Sequence, residues 1–264
     1  MALALVDRPL GHAVLGAAGV AGFAALLEVV PRALNLPGDV LPPLSLIVDA
    51  LAGEVTQPAF WQAVLDTLIQ WGLGLGIAVT AGVVVGIAIG SVPVLRAATA
   101  STIEFLRPIP SVALVPLAVL LLGTQLRSAL LLVVYASFWQ VLVQTLYGVQ
   151  DVDPVADQTA RCYGLGRLAR VRHVVWPTAQ PYVVTGVRLA ASVALILAVT
   201  AELVIGSPGL GRELTAAQSG GATALVYGLI LVTGLLGLGV NVGMRELERR
   251  LLAWHVSVRS EAAA

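Results

Sequence analysis

Long apolar runs that carry almost no charge limit the fold of this chain more than any other feature. A bilayer-crossing helix needs about 20 mostly apolar residues, because its backbone must satisfy its own hydrogen bonds away from water. Such runs occupy residues 12–31, 64–92, 102–123, 128–149, 181–206 and 223–244. Only 11% of the residues are charged and 58% are hydrophobic, whereas a soluble domain carries about 25% charged residues. The expected class is an all-α integral membrane protein of about six transmembrane helices. The third run is expected to be kinked or broken, since Arg107, Pro108, Pro110 and Pro116 fall within or beside it. Proline removes a backbone donor and clashes with the preceding turn.

The formal net charge is zero, so no bulk basic character points to nucleic acid, and every basic residue is Arg. The single cysteine, Cys162, excludes an internal disulfide framework and a cysteine-based metal cluster. His12, His173 and His255 are far apart in sequence and form no metal-ligand spacing. Asp7 and Arg8 precede the first run, and no clear small-residue cleavage site follows it, so a retained first helix is expected over a cleaved signal.

Orientation follows from the arginines. With the N-terminus inside, inner segments hold Arg8, Arg96, Arg161, Arg167, Arg170, Arg172, Arg245, Arg249, Arg250 and Arg259. Outer segments hold Arg32, Arg127 and Arg212. Both termini are therefore expected on the cytoplasmic side: residues 1–11 as an N-terminal segment, 12–255 as the transmembrane domain, and 256–264 as a disordered tail. Residues 32–61, rich in Pro and acidic residues, suit an outer loop. The longest inner segment, 149–180, is the most polar part of the chain and the place for a soluble partner to meet it.

Within that segment runs Asp157-Gln158-Thr159-Ala160-Arg161-Cys162-Tyr163-Gly164-Leu165-Gly166, continuing from Arg167 to Pro177. A short helix ending at a glycine, which adopts the left-handed turn, and a second helix after it would make a compact knob. Pro177 would stand at the entry to the next span, where a missing backbone donor costs little. This segment resembles the EAA signature of ABC-importer permeases: Glu-Ala-Ala, three residues, Gly, nine residues, then Ile-x-Leu-Pro. Gly164 takes the glycine position, Ala160 the second alanine, and Val174, Trp176 and Pro177 the last three with spacing intact. Gln158 and Thr159 depart from Glu and the first alanine; Gln keeps the length but loses the charge.

Further segments resemble the nitrate/sulfonate/taurine branch in the same order: Phe105 to Pro110, Gly148 to Pro154, Thr185 to Ala190, Ala201-Glu202, Gly209 to Gly211, and Leu247 to Arg250. Leu120 to Leu126 departs from relatives, which often carry an aromatic and an acidic residue there. The resemblance implies a type I importer permease fold in a bacterial inner membrane, with a cytoplasmic coupling loop at about residues 150–180. It implies two permease copies, two ATPase subunits that hold ATP and Mg²⁺, and an extracytoplasmic solute-binding protein. The implied cargo is a small solute such as a sulfonate, taurine or nitrate, or a vitamin precursor. The chain has no Gly-x-x-x-x-Gly-Lys-Ser/Thr phosphate loop, so it is expected to bind no cofactor and to leave ATP hydrolysis to its partner. Gln158, Thr159, Ala160, Arg161, Gly164, Leu165, Gly166 and Pro177 are the implied ATPase-coupling residues.

Polar groups at membrane depth are expensive in lipid and face a helix interface or a water-filled cavity. Ser137, Gln140 and Gln144 share one face of the fourth span at i, i+3, i+7, and Thr185, Arg188 and Ser192 repeat that spacing on the fifth. Two readings stand: a solute path, with Arg188 attracting an anion, or interhelical hydrogen bonds and a snorkelling arginine. For Glu202 the readings are a gate or binding-protein contact and a solvated interfacial charge. Gly82, Gly86 and Gly90 read as a packing ridge. Rival functions are an ion-gradient-driven secondary transporter, an intramembrane enzyme and a non-conducting partner of a second permease. The first would need central carboxylates or paired broken helices, the second clustered His, Asp or Ser groups.

Overall fold

The computed structural model describes residues 9–254, and the expected tail at 256–264 and most of the expected N-terminal segment 1–11 lie outside them. The described residues are helical throughout, joined by turns, and contain no strand. They fall into two compact units, residues 9–61 with 213–233 and residues 62–212 with 234–254.

In the first unit, α1 (Pro9–Ala33) is followed by α2 (Leu44–Val55). The outer loop expected at 32–61 thus contains a helix, too short to span. Glu28 of α1 accepts the Ser45 backbone N–H at 2.9 Å, and Arg32 donates to the Ser45 hydroxyl at 2.9 Å, so α1 captures the first turn of α2. Ile47 is buried, and Gly228 lies under Leu51.

The second unit holds most of α3 (Pro58–Ser91), then α4 (Pro93–Leu106), α5 (Val115–Leu122), α6 (Leu126–Gln150), α7 (Pro154–Cys162), α8 (Arg167–Arg170), α9 (Trp176–Ile205) and the second half of α11 (Thr223–Leu251). Its centre is α6 against α9. Ala190, Ala191, Ala194, Ala198 and Ala201 give α9 a flat stripe, and Ala129, Leu132, Val133 and Ala136 of α6 bury themselves in the same core. Gly186 lies against Gln140 and Gln144, and Gly148 against Ala179 and Tyr182. Rising numbers on one helix meet falling numbers on the other, so the pair is antiparallel.

The glycines of α3 bring it equally close to α6. Gly74, Gly82, Gly86 and Gly90 face Val133, Val141, Thr145 and Val149 respectively. Here the numbers rise together, so α3 and α6 run parallel. Parallel neighbours require an odd number of crossings between them. The intervening crossing is α4 and α5, which meet at a bend of 84°. Arg107-Pro108-Ile109-Pro110 breaks the helix there, and a 3₁₀ turn (Ser111–Leu114) restarts it. The Tyr135 hydroxyl donates to the Leu106 carbonyl at 2.7 Å and satisfies one of the acceptors that the break exposes. With that bent pair as one span, α1, α3, α6, α9 and α11 complete six.

A side chain on the α3 ridge has nowhere to go, since a Cβ at Gly86 would approach Thr145 to 2.7 Å. Gly86→Leu should destabilise the chain by about 1–3 kcal/mol through overpacking. Gly76→Leu, with nothing within 4 Å of the added carbon, should leave the thermal midpoint in detergent unchanged.

Candidate functional site

The polar hairpin between α6 and α9 starts at Asp153, whose carboxylate accepts the Val155 N–H at 2.8 Å and caps α7. Helix α7 ends as the sequence requires. Gly164 has φ +77°, its N–H donates to Arg161, and the Leu165 N–H reaches back to Ala160 at 3.0 Å. That pair of bonds is the Schellman arrangement, which uses the left-handed freedom of glycine. Ala160 is buried beneath the turn, so a small residue fits there.

The exit arm is more continuous than expected. Pro177 stands in the first turn of α9, as expected at the entry to that span, but its missing donor does not fall at a free helix end: α8, a π turn (Val171–Val175) and α9 form one helical stretch, Arg167–Ile205. Pro177 lacks the N–H that would continue the α ladder. The chain accommodates it by widening the turn just before it, where the Trp176 N–H reaches Val171, five residues back.

Asp157 ties the two arms together. Its Oδ2 accepts from Arg161 at 2.8 Å on its own helix, and its Oδ1 accepts from Arg170 at 2.8 Å across the turn. Burial raises the Asp157 pKa, but hydrogen bonds and positive charge from the two arginines outweigh it and hold the carboxyl below the ordinary value of 3.8. Gln158 and Thr159 are exposed, and the Thr159 hydroxyl turns inward to Val155 at 2.8 Å. Gly166 opens α8. Three exposed apolar residues that the motif does not mark stand on this hairpin: Val155 at 67%, Tyr163 at 81% and Leu168 at 83% exposure. Their signal was an isolated large apolar residue in the most polar loop.

The candidates at membrane depth separate. Ser137 is buried and donates to Ala190 across the α6–α9 interface at a long 3.5 Å. Gln140 and Gln144 flank Gly186 at the same interface. Arg188 pairs with Glu248 of α11 at 3.1 Å, so its charge is already neutralised within the chain. Ser192 and Thr185 are exposed.

Glu202 is no solvated interfacial charge, because it is 0% exposed. Its Oε2 accepts from the Thr67 hydroxyl of α3 at 3.0 Å and from the Gly211 N–H at 2.9 Å. Thr67 in turn accepts the Leu210 N–H at 2.9 Å, at the start of α10 (Leu210–Ser219). Gln70 donates to the Ala198 carbonyl at 3.0 Å. Gly209, at φ +147°, passes so close to the carboxylate that any side chain there would collide with it. Thr67 and Gln70, three apart on one face of an apolar helix, were the overlooked partners.

These features define a polytopic helical membrane protein with a braced polar hairpin between two of its spans. A family model for binding-protein-dependent transport system inner membrane components matches residues 78–253. The taurine transport system permease protein TauC of Escherichia coli (strain K12) is 33% identical over 224 residues, 83% of this chain and 82% of that protein. The nitrate import permease protein NrtB of Leptolyngbya laminosa is 28% identical, with 74% and 71% covered. A putative aliphatic sulfonates transport permease protein, SsuC of Bacillus subtilis (strain 168), is 29% identical, with 88% and 84% covered. In solved structures, a chain of the MetNI methionine ABC transporter in an inward-facing form superposes with a TM-score of 0.63 at 16% identity, over 74% of this chain and 98% of that one. The chain belongs to the binding-protein-dependent transport system inner membrane component family; it is a permease subunit of an ABC importer.

Two predictions follow from the geometry. Glu202→Ala leaves the Thr67 hydroxyl and the Gly211 N–H without their buried acceptor and should cost about 1–3 kcal/mol. Glu202→Gln, whose amide oxygen still accepts both bonds, should cost less, read as thermal midpoints in detergent. Because the folded Asp157 pKa is depressed, its brace is complete above pH 3.8 and weakens only as pH falls through the lowered value. Hydrogen-exchange protection of the hairpin, corrected for intrinsic rate, should thus be constant from about pH 5 to 8, whereas Asp157→Asn should lower it at neutral pH.

Proposed function

We propose that the hairpin of α7 and α8 is the cytoplasmic element through which a separate ATPase drives this permease. The observation that carries the proposal is a self-braced knob, held by Asp157 between Arg161 and Arg170, with Val155, Tyr163 and Leu168 left uncovered. Exposed large apolar groups on a rigid element suit a protein groove. The concentration of arginines on that side of the spans supports a cytoplasmic hairpin and cytoplasmic termini.

In this scheme ATP and Mg²⁺ sit on the partner. Closure of two ATPase subunits draws together the hairpins of two copies of this chain, and the continuous stretch Arg167–Ile205 carries that displacement into the membrane. Gln158 offers the partner a hydrogen bond in place of a charge, and Gly164, Leu165 and Gly166 set the angle between the arms. An extracytoplasmic binding protein delivers the solute to the opposite face. Relatives named for taurine, nitrate and aliphatic sulfonates support a small oxyanion-bearing solute. Ser137, Gln140, Gln144 and Ser192 remain path candidates. Glu202 acts as a gate support that holds the segment leading into α10, through its bonds to the Thr67 hydroxyl and the Gly211 N–H.

Native mass spectrometry of the complex purified through this chain should show two copies with two ATPase subunits. Recovery of this chain without any ATPase would reject the importer scheme. Leu168→Asp should reduce ATPase retention by about tenfold, equivalent to about 1.4 kcal/mol, without lowering the yield of folded permease.

A further inference from the structure

A cavity of about 530 Å³ lies where the C-terminal end of α6 meets the first turns of α9, within the second unit. That volume falls in the range of about 300–1,000 Å³ typical of small-ligand pockets. Its wall is short of hydrogen-bond donors. Pro177 and Pro181 line it and have no backbone N–H. Thr178 and Thr185 also line it, but their hydroxyl hydrogens are engaged by the carbonyls of Val174 at 2.9 Å and Pro181 at 3.0 Å. The Tyr182 hydroxyl donates to Asp151 Oδ2 at 3.0 Å.

Asp151, the two threonines and Tyr182 offer an occupant lone pairs from a carboxylate, two hydroxyl oxygens and a phenol oxygen. Gln144 adds an amide that can present either its oxygen or its N–H groups, and Tyr182 and Trp254 add aromatic rings, the indole with one N–H, so the single formal charge on the lining is the Asp151 carboxylate. Among the described residues no Arg or His lines the cavity. The nearest intramembrane cation on the α9 stripe, Arg188, is paired with Glu248. A bare oxyanion placed here would meet a carboxylate and lone pairs. A ligand that brings N–H donors and positive charge would meet acceptors and ring faces.

We infer that this cavity is a recess for the ammonium group of a small solute. The inference rests on the importer reading and narrows its cargo to a zwitterion that carries an ammonium beside its oxyanion, as an ω-aminosulfonate does. The recess lies at the foot of the hairpin. Its floor includes Pro177 and Thr178, directly after the π turn, so an occupant touches the segment on which the ATPase pulls. Asp151 and Tyr182 tie the end of α6 to the start of α9 from within the same recess.

The test is equilibrium binding of labelled taurine to the detergent-solubilised permease–ATPase complex without binding protein, with ethanesulfonate as the competitor that lacks only the amine. Taurine should bind saturably, and ethanesulfonate should compete at least about tenfold more weakly, the value of one charge-assisted hydrogen bond. Asp151→Asn, which keeps an acceptor for Tyr182, should weaken taurine binding by about tenfold or more on the same ground. Tyr182→Phe, which keeps both carboxylate and ring, should stay within about threefold. Equal competition by ethanesulfonate, indifference to Asp151→Asn in a complex that still retains its ATPase, or no saturable taurine binding would overturn the assignment. ATP-dependent uptake in proteoliposomes with the binding protein tests the importer reading separately. If no solute is taken up, that reading fails. If uptake proceeds while taurine binding ignores Asp151, only the recess is wrong.

Discussion

The antiparallel contact of α6 with α9 is the constraint on which the second unit depends. Between apolar helices in lipid there is little hydrophobic drive, and association rests on close packing. This chain achieves it by removing side chains: an alanine stripe on α9, Gly148 and Gly186 at the crossing, and four glycines of α3 against α6. Because α6 and α9 are held along most of their length, the segment that joins them projects as a short hairpin. The segment that leaves the far end of α9 is also held, by Glu202. The α6–α9 interface thus positions one end, and the contact of Glu202 with Thr67 of α3 the other.

Charged groups in the spans follow the rule that burial demands partners. Glu202 has two donors on one oxygen, and the other oxygen has no partner among the described residues. Arg188 has Glu248. Neither is a free charge awaiting a solute. The recess at the end of α6 is different in kind: its polarity comes from one carboxylate and from oxygens whose hydrogens point elsewhere.

Much of this was legible in the sequence. The apolar runs placed the spans because lipid imposes length and composition, and the prolines from Pro108 to Pro116 announced the broken crossing. The glycine at 164 announced the hairpin turn, and Gly82, Gly86 and Gly90 the packing ridge. Other parts were not legible, each for a physical reason. Helix α2 is short, follows Pro42-Pro43 and sits among acidic residues, so local composition read as loop; its order comes from Glu28 and Arg32 on another helix. The π turn is a response to Pro177, a compromise that no local propensity encodes. The environment of Glu202 depends on Thr67 and Gln70, more than a hundred positions earlier in the chain. Arg188 could not be assigned as paired until α11 returned Glu248 beside it.

The unbroken stretch Arg167–Ile205 has a mechanical consequence. At about 1.5 Å per residue its 39 residues extend some 58 Å, nearly twice the roughly 30 Å hydrocarbon thickness. A rod of that length pivoting about one end would convert a tilt of about 5° into a displacement of about 5 Å at the other, one helical turn. Stiffness favours such leverage, and the wide turn at Val171–Val175 is the place where the rod yields. In the proposed coupling scheme, the prolines beside that turn would set how much of the stroke is transmitted and how much is lost to bending.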